Sequence, residues 1–384
     1  MRFEFGTATR ILFGPGVVAE VAGAAAALGR RALVVTGRGV ERSGSLVERL
    51  NTRNVGVEIL SVAGEPTIQI VRAGVQRAGE TQCDLVVGIG GGSVVDAGKA
   101  IAALLANGGD PLNYLEVIGR GQALTKPSAP YVAIPTTAGT GAEVTRNAVL
   151  AVPEQRLKAS LRSPLMYPRL AVVDPELTHT LPSSITATTG LDALTQLVEP
   201  FVSSRANPVT DAFCREGLPH AARSLRQAYE RGNDVKARED MSLVSLLGGL
   251  ALANAGLGAA HGIASVVGGM FPAPHGAVCA RLLPYVMEIN VRALQERQPG
   301  NEALRRYDEV ARILTGNDQA KAADGVMWVQ GLCAALQIPP LAPYGMTPAD
   351  LPTVVEKSAV ASSTKANPIQ LTLDEMRLVL EQAM

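Results

Sequence analysis

The sequence predicts an N-terminal α/β domain built on a parallel sheet and an all-helical C-terminal domain. Three observations carry that prediction. Short β-branched runs alternate with Ala-rich stretches up to about residue 180, as strands alternate with helices in a sheet covered on both faces. Beyond Leu181-Pro182 the periodicity is helical and no segment reads as a strand. The 384 residues also exceed the ~250–300 at which one hydrophobic core stops growing, so two domains are expected, 1–182 and 183–384.

The N-terminal stretch around Phe3–Phe13 reads as an extended hairpin. Ala32–Thr36, Val57–Val62, Asp84–Gly88, Tyr131–Pro135 and Leu170–Asp174 read as buried strands, the third leading into a helix that starts near Ser93. In the second half, Pro-, Gly-, Asn- and Asp-rich segments at 298–303 and 342–352 read as loops between helices.

Composition narrows the function classes. The chain is 47% hydrophobic but only 4% aromatic, so Ala, Val, Leu and Gly must fill the cores. Lys+Arg and Asp+Glu both number 35, and this even balance lacks the cationic surplus that nucleic-acid binding requires. Cys83, Cys214, Cys279 and Cys333 are far apart and form no Cys-x-x-Cys pair; they read as free thiols of a reducing compartment. The N-terminus has no apolar run of the signal-peptide kind, and no stretch reaches the ~18 uninterrupted apolar residues of a membrane span. A cytoplasmic protein without membrane or nucleic-acid partners is expected.

Two loops point to a bound dinucleotide. Gly88-Ile-Gly-Gly-Gly-Ser93 follows a strand and opens a helix. Glycines there let the backbone approach a pyrophosphate, and the free N–H groups of the helix start face its charge. It lacks the Gly-x-Gly-x-x-Gly spacing, and a tight turn needing one or two glycines is the alternative. Ile134–Thr145 is a second small-residue loop after a strand, rich in hydroxyls at Thr136, Thr137 and Thr140. A capped turn explains one such loop; two at neighbouring strand ends fit a ligand edge better.

A metal constellation is the second candidate. Of four histidines, His261 reads as helical and His275 follows a Pro-rich turn that can fold it back. Asp192 and Gln196 stand four apart, on one helix face, in an apolar run. Burying an unpaired carboxylate there is costly, and a cation would resolve it. One carboxylate with two imidazoles suits Fe²⁺ or Zn²⁺. By spacing alone, two histidines fourteen apart are more often ordinary polar residues. His179 and His220 read as surface or capping residues.

Taken together, Gly88–Ser93, Pro135–Thr145, Asp192–Glu199 and His261–Gly276 resemble the iron-containing (group III) alcohol dehydrogenases, in order and over nearly the whole chain. The resemblance implies a Rossmann-like dinucleotide domain, a helical metal-binding domain and a substrate cleft between them. It implies cofactor contacts from Gly90, Gly91, Gly92, Ser93, Asp96 and Lys99, from Thr136, Thr137 and Thr140, and from Asn147 and Lys158. The family's metal ligands fall on Asp192, Gln196, His261 and His275. At least a homodimer is implied, with Phe3–Phe13 as a contact.

The sequence departs from the family in three places. Gln196 stands where a histidine ligand is usual; the related glycerol dehydrogenases also lack that histidine and look like three-ligand zinc sites. Ser265 stands where many members carry a proton-relaying histidine near the nicotinamide, so the proton is expected to pass through water, the cofactor ribose or a substrate hydroxyl. Gly37-Arg38 follows the second strand, where NAD-preferring members carry an acid that repels a 2′-phosphate. Arg38 suits that phosphate, which tilts the choice between NAD and NADP toward NADP(H).

The expected activity is metal-assisted hydride transfer between a small alcohol or aldehyde and a nicotinamide cofactor, with Asp192, His261, His275 and Ser265 at the catalytic centre. Two alternatives stay open. One is an oxo-acid reductase of the maleylacetate reductase kind on the same fold. The other is a nucleotide-binding protein whose metal site has decayed.

Overall fold

The computed structural model describes residues 2–38, 43–155 and 157–384. They form two compact units. One comprises Gly6–Thr137 and Gly141–Thr178; the other comprises His179–Met384 together with the short segments 2–5 and Ala138–Thr140.

The first unit is α/β. Its elements are β1 (Ile11–Phe13), α1 (Val21–Ala26), β2 (Arg31–Thr36), α2 (Gly44–Thr52), β3 (Gly56–Ser61), α3 (Ile68–Glu80), β4 (Leu85–Gly90), α4 (Gly92–Asn107), α5 (Pro111–Tyr114), β5 (Tyr131–Pro135), β6 (Asn147–Val152), β7 (Leu157–Arg162) and β8 (Leu170–Val173). Six strands form one sheet in the order β1-β8-β5-β4-β2-β3, and every pair is parallel. The alternation of a strand sorts side chains onto two faces. Ala32 and Val34 of β2 meet α1 and α2 on one face, while Leu33 and Val35 meet α3 and α4 on the other. With both faces covered, the strands are near-continuous apolar runs, which is why they are legible in the sequence.

The chain steps from β2 outward to β3, then crosses back over β2 to β4. Connections diverge between β2 and β4, and in open α/β sheets the crevice at the carboxyl ends of such strands takes the ligand.

Two features differ from expectation. The N-terminal stretch is not a hairpin: Ile11–Phe13 pairs in parallel with Ala171–Val173 at the sheet edge. The hairpin lies elsewhere, between β6 and β7, which pair antiparallel. A 3₁₀ turn at Pro153–Gln155 joins them, without the Asn-Gly or Asp-Gly signal that makes hairpins readable.

The second unit is helical: α6 (Ser183–Val202), α7 (Pro208–Glu230), α8 (Val235–Ala255), α9 (Ala259–Met270), α10 (His275–Arg297), α11 (Glu302–Thr315), α12 (Ala322–Ala335), α13 (Leu351–Ala359) and α14 (Leu373–Ala383). Helix α6 is its centre, packed against α7, α8 and α10 and buried continuously from Gly190 to Val202. A helix buried all round carries no solvent face, so the charges of Asp192 and Glu199 stand inside the core. Close packing is visible at Gly217 of α7, where a Cβ would lie 2.6 Å from Leu197 Cδ1. Among the described residues, no single helix is long and apolar enough to cross a membrane.

Arg306 of α11 fastens the C-terminal end of α6. It donates to the Phe201 carbonyl at 2.8 Å and to both oxygens of Asp211 at 2.7 and 2.8 Å. Arg306→Ala leaves Asp211 buried without its cation, which costs about 3 kcal/mol. Urea unfolding should show that loss as a lower midpoint at an unchanged slope.

Candidate functional site

Three helices of the helical unit bring one set of side chains together. Asp192, Gln196 and Glu199 recur at intervals of four and three along α6 and share a face. His261 lies in the first turn of α9, and His275 is the first residue of α10, set there by Pro274. The two imidazole centroids are 5.5 Å apart. His261 Nε2 stands 3.4 Å from Asp192 Oδ1, and His275 Nε2 stands 3.8 Å from the same oxygen.

Glu199 fixes the orientation of His261. Its Oε2 lies 2.7 Å from His261 Nδ1, and a carboxylate there makes Nδ1 the donor and leaves Nε2 aimed at Asp192. Glu199 also accepts from the Gly258 and Ala260 amides at 2.9 and 2.7 Å, in the positive first turn of α9. Gly258 permits that approach, since a Cβ there would sit 2.7 Å from Glu199 Oε1.

Cys279, one turn after His275 on α10, closes the group. Its Sγ is 3.5 Å from His275 Nε2. Asp192, His261, His275 and Cys279 each offer one ligand atom, and these atoms all lie within 4.8 Å of one another.

The donor set fits a divalent cation. Asp192 Oδ1 and His261 Nε2 are buried without a hydrogen-bond partner, a costly state for polar atoms unless something charged meets them. Among the described residues, neither Asp192 nor Glu199 pairs with Lys or Arg; their ionic partners are the two histidines. Burial favours the neutral Asp192, yet the His261 and His275 imidazoles outweigh it and hold the carboxyl below its ordinary range. Burial likewise lowers His261, but Cys279, Asp192 and Glu199 outweigh it and raise the imidazole well above its usual value. The field at this point favours positive charge. Burial pushes the Cys279 thiol up to about 12.

Gln196 donates through Nε2 to Asp192 Oδ2 at 3.1 Å, which leaves Oδ1 as the oxygen facing the histidines. Ser265 donates to the Gly262 carbonyl at 2.8 Å, within its own helix. The His275 side chain is 35% exposed while Asp192 and His261 are nearly sealed, so the group opens to solvent on the His275 side. His220 is not the surface or capping residue expected: it is half-buried between Asp240 and Glu216, at 3.0 and 3.2 Å. His179 is half-buried too, with its Nε2 sealed from solvent.

In the α/β unit, the predicted loops gather at one edge. Gly37 and Arg38 follow β2, Gly90 to Ser93 join β4 to α4, and Thr136 and Thr137 follow β5, three adjacent parallel strands. The Thr136 amide donates to the Gly90 carbonyl at 2.9 Å. Gly91 caps α4 without any side chain, and a Cβ at Gly90 would lie 2.6 Å from Val94 Cγ2. The 16-residue helix thus starts without a side-chain cap at the switch point of the sheet, with its first N–H groups suited to an anion. Arg38 is exposed beside it. Thr140 belongs to the short segment that goes with the helical unit.

The other predicted cofactor residues are engaged with the chain itself. Lys99 is fully buried and gives its three donors to the Ala142 carbonyl, Thr145 Oγ1 and the Asn147 carbonyl, at 2.7, 2.8 and 2.7 Å. Asp96 accepts from the Val149 amide at 3.0 Å and stands 3.6 Å from Lys99. Lys158 pairs with Glu65 at 3.0 Å. These contacts brace the loop after β5 and the β6–β7 hairpin.

Three residues escaped the sequence reading. Glu199 follows Asp192 by seven and Cys279 follows His275 by four, the spacing of one helix face, which is the signal that singled out Gln196. Glu143 is buried in the loop braced by Lys99, and no periodicity marks it.

Burial raises the Glu143 carboxyl to about 7. A raised folded value means that stability is fully present below the ordinary carboxylate pKa and is lost as pH rises toward 7. Glu143→Gln removes that titration. The variant should gain on the wild type by about 3 kcal/mol between pH 4 and pH 8 in denaturant unfolding.

Comparison with known proteins identifies the family and the fold. The pattern described as "Iron-containing alcohol dehydrogenase" matches residues 8–175, and that described as "Fe-containing alcohol dehydrogenase family, C-terminal" matches residues 186–384. A 1,3-propanediol dehydrogenase of Klebsiella pneumoniae is 35% identical, covering 97% of this chain and 96% of its own. An NAD-dependent methanol dehydrogenase of Bacillus methanolicus is 31% identical, covering 97% of each chain. Among solved structures, 1,3-propanediol oxidoreductase superposes with a TM-score of 0.92 at 33% identity over 100% of both chains. An iron-containing alcohol dehydrogenase of Thermotoga maritima gives 0.85 at 30% identity, over 100% of this chain and 99% of its own.

Proposed function

Because the chain belongs to the iron-containing alcohol dehydrogenase family, we propose that it interconverts a small uncharged alcohol and its aldehyde or ketone, using NADP(H) in preference to NAD(H) and Fe²⁺ or Zn²⁺ held by Asp192, His261 and His275. The observation that carries this reading is the buried, unpartnered pair of Asp192 Oδ1 and His261 Nε2 facing each other. A divalent ion there supplies Lewis acidity toward a hydroxyl or carbonyl oxygen, and a nicotinamide supplies the hydride exchange.

The chain's own residues set the conditions for that chemistry. Asp192 offsets the ion's charge. Glu199 locks His261 in the tautomer that offers Nε2. Gln196 holds Asp192 in register from its other oxygen. The half-exposed His275 leaves the side from which substrate enters. Residues 255–280 carry no Lys or Arg, which supports an uncharged substrate. Ser265 spends its proton on Gly262 and does not titrate near neutral pH, so the reaction's proton leaves through water or a hydroxyl of substrate or cofactor. Exposed Phe3 and Phe5 support a homo-oligomer, which light scattering tests.

His261→Ala should abolish both retained metal and alcohol oxidation; full activity in a metal-free His261→Ala protein would sink the proposal. Arg38→Ala should lower kcat/KM with NADPH about tenfold, the worth of one charge-assisted bond, and leave NADH unchanged. Equal losses with both cofactors would contradict the preference for NADP(H).

A further inference from the structure

We propose that Cys279 is a metal ligand of this chain, completing an Asp-His-His-Cys set in place of the histidine that Gln196 replaces. Ligation by Cys279 presupposes the metal centre proposed above and specifies its fourth donor.

Distances support it. In a tetrahedral site with bonds of about 2.0–2.1 Å to nitrogen or oxygen and about 2.3 Å to sulfur, donors stand about 3.4 Å apart for N and O and about 3.6 Å for N and S. Asp192 Oδ1 lies 3.4 Å from His261 Nε2 and 3.8 Å from His275 Nε2. Cys279 Sγ lies 3.5 Å from His275 Nε2. These spacings match those of donors around one ion, and the Cys279–His275 contact already turns the sulfur toward the group.

Gln196 complements this arrangement. Its amide donates to Asp192 Oδ2, which is a positioning contact. Its Oε1 lies toward α8, 3.5 Å from where a Cβ would stand on Gly248. On α10, Cys279 follows His275 by one turn, and both look into the same group. The thiol is buried, so it is shielded from solvent. As the sulfur–metal bond forms, the thiol proton passes to solvent. A thiolate among nitrogen and oxygen donors moves the preference toward zinc. Zinc sites also expand to five ligands, so a fourth protein donor does not shut out substrate.

The test uses the full-length protein loaded with Zn²⁺ or Co²⁺. X-ray absorption of the zinc form should show one sulfur at about 2.3 Å beside nitrogen and oxygen at about 2.0–2.2 Å. The cobalt form should show a sulfur-to-cobalt charge-transfer band. Cys279→Ser should abolish the band and weaken metal retention, in chelator competition, by at least the ~10–100-fold that loss of even an outer partner costs. Cys83→Ser, in the other unit, should keep both. A loaded wild-type protein with only nitrogen and oxygen neighbours and no such band overturns the Cys279 assignment alone. A chain that retains no ion overturns the metal centre itself, and Cys279 ligation with it.

Discussion

The bond between Glu199 and His261 is the constraint on which the site depends. Two carboxylates inside an apolar helix are costly, and α6 carries both Asp192 and Glu199 in its most buried stretch. Glu199 is satisfied by His261 and by the first amides of α9. That leaves His261 Nε2 and Asp192 Oδ1 facing each other at 3.4 Å. The fold thus concentrates an electrostatic cost that the proposed cation would meet. Gln196, Gly258 and the Pro274–His275 corner are the local means by which the helices keep that register.

The α/β unit meets a different constraint, leaving backbone donors uncapped at a strand-to-helix turn. Glycines at 90 and 91 clear the start of α4, and the sheet's divergence between β2 and β4 puts that start at an open edge. The buried lysine beneath it works as a brace. With all three donors used on the loop, Lys99 holds the 142–147 segment to α4 and has no donor left for a ligand.

Much of this was legible in the sequence, for identifiable reasons. The parallel strands are apolar runs because both faces are covered, and Asp192, His261 and His275 stand out as polar residues in apolar surroundings. The β6–β7 hairpin was not legible, since its turn carries no hairpin dipeptide. The N-terminal strand misled, because three residues at a sheet edge give no clue to the direction of pairing. The resemblance implies cofactor roles for Lys99 and Asp96; that both side chains also bond the 142–149 segment is not visible from sequence position. Cys279 was passed over as one of four scattered thiols; its spacing from His275 mattered more than its distance from the other cysteines.

The most direct test of the central claim is metal content read against turnover. Protein stripped by chelator and reloaded in steps should reduce a short aldehyde with NADPH in proportion to occupancy, saturating at one ion per chain. An undiminished rate in the stripped protein would contradict the account.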